Sequence, residues 1–361
     1  MRSTRRCFLA LCAARPPAWA GKGQIFPSET RRYADPATEF EVLRLTDPAH
    51  SSYLPGPRGP AVSRRANLLL YSSDRTGGWQ AFRMDWKTGE SRQLTEARSL
   101  DPASLTLGSD ERTICYLDGR VLHRMDAGSM RGHRVYSIPA GFDPLPELAI
   151  SGDGLHAVLV EKGAGRHRIR LVRLATGAAT TVTESAEPLS DPQPRPRRAG
   201  VLYRKGGVPW LVNYDGRDNR PMRVAPGGTG PARWSRDGRT FVYLNFPGDP
   251  KQLNSLREFT PDQNADRLLA PTSQFVQFNA NHDGSVFIGA RASKAQPFLL
   301  LLLRKTRREF ALCEHRSSTP LGVNPVFDPS NQRILFNSDR HGKPAIYAMA
   351  VEKLVEKAGE P

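Results

Sequence analysis

The sequence predicts an all-β protein: a seven-bladed β-propeller of four-stranded blades, its ring closed by an N-terminal strand that completes the last blade. Three observations carry this expectation. First, a polar turn followed by an apolar strand recurs every 40 to 47 residues or so, the length of one four-stranded blade. Second, two stretches near opposite ends almost copy each other: Tyr71-Ser72-Ser73-Asp74-Arg75-Thr76-Gly77 and Phe336-Asn337-Ser338-Asp339-Arg340-His341-Gly342. Third, the alternating stretch Glu39–Thr46 has no unit of its own, while the last unit stops at Ala350, one strand short. Pairing the two ends closes the ring and protects edges that an open sheet would expose.

Residues 1–20 read as a cleaved export signal: Arg5-Arg6 precede the short apolar run Phe8-Leu9, and Ala18-Trp19-Ala20 offers a small-x-small cleavage site. The arginine pair is similar to a twin-arginine leader, so the mature chain is expected outside the cytoplasm, periplasmic or extracellular. Residues 21–37 are polar and proline-bearing and read as an irregular lead-in. Residues 38–351 carry the seven units. Their turns fall at Arg64-Arg65-Ala66, Ser109-Asp110-Glu111, Gly152-Asp153-Gly154, Arg197-Arg198-Ala199, Arg236-Asp237-Gly238, His282-Asp283-Gly284 and Ser330-Asn331-Gln332. Each leads into an apolar strand such as Leu68–Ser72 or Thr113–Leu117, and Thr-Gly or Asp-Gly pairs then reverse the chain, as at Thr88-Gly89 and Asp215-Gly216. The stretch Asn245–Arg267 shows little alternation and reads as an irregular insertion, and residues 352–361 as a charged tail.

Gly 31 and Pro 30 in 361 residues fit many short strands joined by turns. The apolar run Pro297–Leu303 ends at Arg304-Lys305, far short of the roughly 20 residues a membrane span needs, and reads as a fully buried strand. No integral membrane segment is expected in the mature chain. Of four cysteines, Cys7 and Cys12 lie in the signal; Cys115 and Cys313 sit among apolar neighbours and read as two separate buried thiols. Loss of the four signal arginines lowers the formal net charge from +16 to +12. An exported protein meets no chromosome, so nucleic acid is not expected as the partner of this positive excess. The excess points instead to solvated surface and to an anionic ligand such as an acidic polysaccharide.

The Asp-Gly turns and Ser-Asp-Arg-x-Gly hairpins resemble the repeats of TolB-like propellers. A more specific likeness lies in Arg44-Leu45-Thr46-Asp47-Pro48 before Ser73-Asp74-Arg75, in Phe278 followed by Asp283-Gly284-Ser285, and in Glu314-His315-Arg316 followed by Asn324-Pro325-Val326-Phe327. In order and spacing these resemble the oligogalacturonate lyases. The resemblance implies a seven-bladed propeller acting on short pectin fragments by β-elimination, with a divalent metal, manganese, held by histidines and a glutamine. Removing the C5 proton of a uronate makes a carbanion-like species. The neighbouring carboxylate must therefore be neutralised, and a base must lie within hydrogen-bond reach.

The sequence departs from that pattern at three places. Gln277 stands where the family has a histidine, Gly322-Val323-Asn324-Pro325 replaces a His-x-His-Pro run, and Ala232-Arg233-Trp234 lacks the expected imidazole. Carboxamides bind transition metals poorly without imidazole or carboxylate beside them, so no metal ligand is assigned. Arg233, at the position of the family's base, can pair with a uronate carboxylate, and His315 is the histidine that matches a family motif. These two are the catalytic candidates. Gln277, Asn324, Arg316, Arg58, Asn254 and Arg257 are the candidate sugar contacts. Two functions follow: an exported lyase acting on or binding acidic uronate oligosaccharides, or a non-catalytic binding or scaffold propeller. Oligomeric state is not legible.

Overall fold

The computed structural model describes residues 21–56, 59–63, 65 and 67–352. The predicted export signal, Arg58, Arg64 and all but the first residue of the charged tail lie outside the described residues.

Seven antiparallel sheets follow one another along the chain, each built outward from its innermost strand. Blade 3 shows the pattern in full: Asp143–Ile150, His156–Gly163, Arg166–Arg173 and Ala179–Ser185 pair in sequence order. Blades 2, 4, 5 and 6 repeat it, with innermost strands at Thr106–Leu107, Leu189–Pro194, Gly228–Trp234 and Phe275–Ala280. Blade 7 takes only Val326–Phe327, Arg333–Ser338 and Ala345–Ala350 from the C-terminal end, and its fourth strand is Glu41–Arg44. Leu43 pairs with Ala348 and Arg44 with Tyr347. The N-terminal strand therefore completes the last blade, as its alternation predicts.

The second strands of the blades are largely apolar on both faces because both faces are covered. Along Leu68–Ser73, successive side chains point to opposite neighbours. Leu69 and Tyr71 pack with Leu335 and Ile346 of blade 7, while Leu68 and Leu70 pack with Ile114 and Tyr116 of blade 2. Each of the seven blade interfaces holds one such cluster among the described residues. The Asp-Gly turns between first and second strands are fixed by their own side chains. The Asp237 carboxylate accepts from Arg239 N at 3.0 Å and the Ser235 hydroxyl at 2.7 Å, and Gly238 supplies φ 67°.

Two regions differ from expectation. The lead-in is not irregular throughout: Arg31–Ala34 adds a fifth strand outside Glu41–Arg44, and Ile25–Phe26 pairs with Ser91–Gln93 at the outer edge of blade 1. Arg31 and Arg32 tolerate this position because an outermost strand keeps one face in water. The stretch Asn245–Arg267 is likewise not irregular throughout: it carries Ser255–Thr260 and the start of Ala265–Pro271, with residues 247–254 as the connecting loop. Within Ser255–Thr260 the adjacent polar pair Arg257 and Glu258 breaks the period-2 signal.

The paired Ser-Asp-Arg turns fasten the ring. Asp74 accepts from Ser51 N at 2.8 Å, and Arg75 pairs with Glu29 of the lead-in. Asp339 accepts from Ser318 N at 2.8 Å, and Arg340 reaches Asp35 at 3.6 Å.

Cys115 and Cys313 are unpaired and buried. Burial pushes the Cys115 thiol up to about 12 and raises Cys313 as well. Since the thiolate is the reactive form, neither is expected to react with iodoacetamide in the native protein over hours, whereas both should alkylate in denaturant; intact-mass spectrometry reads the difference.

Candidate functional site

The innermost strands run side by side between two mouths of the central channel. At one mouth lie the starts of these strands and the ends of the second strands; at the other lie the Asp-Gly turns.

The first mouth holds a cavity of about 270 Å³ lined by Tyr53, Leu54, Gly56, Pro102, Ala103, Gln277, Leu321, Asn324 and Asn337. Register explains why three of these meet. Tyr53 pairs with Ser72, one residue before the end of Leu68–Ser73. Gln277 pairs with Ala290, one residue before the end of Val286–Arg291. In blade 7, Asn337 holds the matching place in Arg333–Ser338, and its backbone N–H donates to Val323 O at 2.7 Å, which brings Asn324 alongside. Equivalent positions of blades 6, 7 and 1 thus face one space.

Their polar groups are unequally committed. Asn337 is buried, its carboxamide oxygen accepting from Leu54 N at 3.1 Å and its nitrogen donating to Gly322 O at 3.3 Å. Asn324 Nδ2 donates to Pro55 O at 2.9 Å. The Gln277 carboxamide makes no side-chain hydrogen bond among the described residues. Tyr53 lies against Trp79, ring centroids 5.5 Å apart and planes 34° apart, and burial raises its phenol above the usual tyrosine value. Leu321, on the short turn Pro320–Gly322, is 62 % exposed at the rim.

Of the sequence-predicted site residues, the structure brings Gln277 and Asn324 together and disperses the rest. Arg233 lies at the other mouth, in a polar cavity of about 920 Å³ lined also by Gln193, Asn279, Arg236 and Glu258. It sits lower on its strand than Gln277 does, pairing with Val242, with its guanidinium 6.0 Å from the Phe278 ring centroid. His315 does not line either cavity. It is fully buried, Nε2 donates to Arg291 O at 2.9 Å, and Nδ1 accepts from Ser317 N at 3.0 Å. Burial pushes its pKa below the ordinary value, so the ring stays neutral; it is a brace for the loop entering blade 7, with both nitrogens engaged.

Of the remaining candidates, Arg257 and Asn254 hold strands together, while Arg316 pairs within its own segment. Arg316 is exposed and pairs with Glu314 at 2.5 Å. Arg257 pairs with Asp266 at 3.1 Å, and Asp266 also accepts from the Tyr243 hydroxyl at 3.0 Å. Asn254 Nδ2 donates to Phe275 O at 3.1 Å, and its carbonyl accepts from Thr272 N at 2.7 Å, tying blade 5 to blade 6. Arg58 lies outside the described residues. Among the described residues there is no group of three or more His, Cys, Asp or Glu side chains that could hold a metal ion. Sequence reasoning missed Tyr53, Trp79 and Leu321. Tyr53 had a signal, because it occupies the blade position of Gln277.

Fold and mouth together define a seven-bladed β-propeller with a small aromatic-and-carboxamide cavity at the start of its innermost strands. The chain is an oligogalacturonate-lyase-like propeller. It is 24 % identical to the oligogalacturonide lyase of Pectobacterium atrosepticum, over 91 % of this chain and 98 % of that one, and equally to the oligogalacturonate lyase of Dickeya dadantii. Among solved structures it superimposes on an oligogalacturonate lyase in complex with manganese with a TM-score of 0.86 at 24 % identity, covering 91 % of this chain and 98 % of the other. The oligogalacturonate lyase of Vibrio parahaemolyticus gives a TM-score of 0.85 at 20 % identity, covering 92 % and 99 %. No known family profile matches the chain.

Proposed function

We propose that this chain recognises short uronate oligosaccharides of the pectin type, seating them at the mouth formed by blades 6, 7 and 1. The observation that carries the reading is the convergence of Gln277 and Asn324 in one cavity, on a chain similar over nearly its whole length to oligogalacturonate lyases. We include export in the proposal, supported by the arginine pair and cleavage site of residues 1–20; fractionation of expressing cells tests it, and retention in the cytoplasm overturns it. No helix among the described residues is long and apolar enough to cross a membrane.

β-Elimination needs a base near the C5 proton and a positive centre at the carboxylate. Manganese would supply the second, but the donor set does not fit it. The cavity offers carboxamides, and His315 has both ring nitrogens engaged elsewhere. Carboxamide oxygens without imidazole or carboxylate make a poor transition-metal site. This favours a binding propeller over a metal-dependent lyase.

Calorimetry with trigalacturonate is expected to show binding, while absorbance of unsaturated product is expected to stay flat with and without manganese. Absence of binding overturns the recognition reading, and efficient turnover overturns the binding-only form. Gln277→Ala removes one or two neutral hydrogen bonds and is expected to weaken binding about three- to tenfold. An unchanged dissociation constant would remove Gln277 from the site.

A further inference from the structure

The cavity at the first mouth has an apolar wall opposite its carboxamides. Its lining is largely apolar, with Tyr53, Leu54, Pro102, Ala103 and Leu321 facing Gln277 and Asn324. The Tyr53 ring is held in place from behind: Trp79 lies 5.5 Å from it, centroid to centroid. Ser52 and Tyr53 are paired into the second strand of blade 1, and Ser52 N donates to Pro344 O at 2.7 Å, so the backbone carrying the ring is fixed.

A pyranose presents two unlike surfaces, a ring face of C–H groups and an edge of hydroxyls. An aromatic side chain offers a broad apolar surface whose electron-rich face attracts the slightly positive C–H groups. A carboxamide, carrying both donor and acceptor, satisfies a neutral hydroxyl in either role. We infer that the first mouth is a single-sugar subsite in which the Tyr53 ring, backed by Trp79, stacks on one pyranose face while Gln277 and Asn324 take the hydroxyl edge.

The cavity volume of about 270 Å³, just below the roughly 300 Å³ at which drug-sized pockets begin, suits one ring and not an oligomer, so further sugar units extend over the rim at Leu321. The inference rests on the proposed recognition of uronate oligosaccharides for its ligand, and it adds a positioning residue and the orientation of the bound ring.

Calorimetric titration of trigalacturonate and of neutral galactotriose into wild type, Tyr53→Ala and Tyr53→Phe tests it, with circular dichroism confirming that each variant is folded. The expected result is a loss of about tenfold or more in affinity for Tyr53→Ala, while Tyr53→Phe stays within about twofold because the ring, not the hydroxyl, makes the contact. Trigalacturonate binding unchanged in folded Tyr53→Ala overturns the subsite and leaves the recognition reading standing. Binding of galactotriose alone, with the same dependence on Tyr53, supports the subsite and overturns the uronate reading. Failure of both sugars to bind wild type overturns both. Should Tyr53→Ala fail to fold, Tyr53→Leu replaces it, keeping apolar bulk without the aromatic face, with the same loss expected and unchanged affinity overturning the inference.

Discussion

Replacing Asp35 with alanine is expected to cost the ring about 3–5 kcal/mol of stability, the penalty of stranding a buried charge whose partner is removed. Asp35 is fully buried, and the Arg340 side chain that faces it at 3.6 Å is 5 % exposed. The carboxylate also accepts from Glu314 N at 3.1 Å and from Ala37 N at 3.2 Å. Without it, three elements lose their common anchor: the lead-in strand, the outer strand of blade 6 and the hairpin of blade 7. Arg340 would retain Glu314 O as an acceptor at 2.8 Å, but no carboxylate. Because this cluster sits where the N-terminal strand closes the ring, the loss should release blade 7 first. Urea unfolding followed by fluorescence checks the size of the effect, and a midpoint within experimental error of wild type would show that the pair does not secure closure. The double variant Asp35→Asn with Arg340→Met should be less damaging than the sum of the single changes, since neither charge is then left alone.

This closure was legible in part. The alternation of Glu39–Thr46 and the missing last strand together pointed to the end-to-end pairing, since a periodic repeat makes a deficit visible. The strand outside it was not legible, because Arg31–Ala34 is short, has mostly exposed side chains and gains its order from Asp35 and Glu41–Arg44. The site divides along the same line. Gln277 and Asn324 were singled out because they stand where the oligogalacturonate lyases carry histidines, and both line one cavity. His315 was misplaced because its two hydrogen-bond partners, Arg291 O and Ser317 N, depend on how blade 6 meets the loop entering blade 7. Arg257 looked like a ligand contact only while its carboxylate partner across the sheet, Asp266, was unseen. A sequence shows charges, whereas pairing decides which of them remain available.

Phe275→Ala is expected to lower stability by about 3–5 kcal/mol and to weaken sugar binding at the same time. Phe275 is fully buried and opens the innermost strand of blade 6, two residues before Gln277. Its ring lies directly on Gly289 of the neighbouring strand. A Cβ at Gly289 would stand 2.1 Å from one ring carbon and 2.2 Å from the next. The glycine is therefore the floor on which the ring rests, and the ring fixes the height of the strand that carries Gln277 into the cavity. Gly289→Ala, which forces the ring away, is expected to cost about 1–3 kcal/mol as overpacking. The two changes should not add. Once the ring is gone, the methyl has room, so Phe275→Ala combined with Gly289→Ala should be no worse than Phe275→Ala alone. A coupling of about 0.5–3 kcal/mol is the range for residues in direct contact. Chemical denaturation of the four proteins measures it, and strict additivity would overturn the packing argument. Calorimetry on the same set reads the site: both single variants should bind trigalacturonate more weakly, because the carboxamide of Gln277 is only as well placed as the ring beneath its strand.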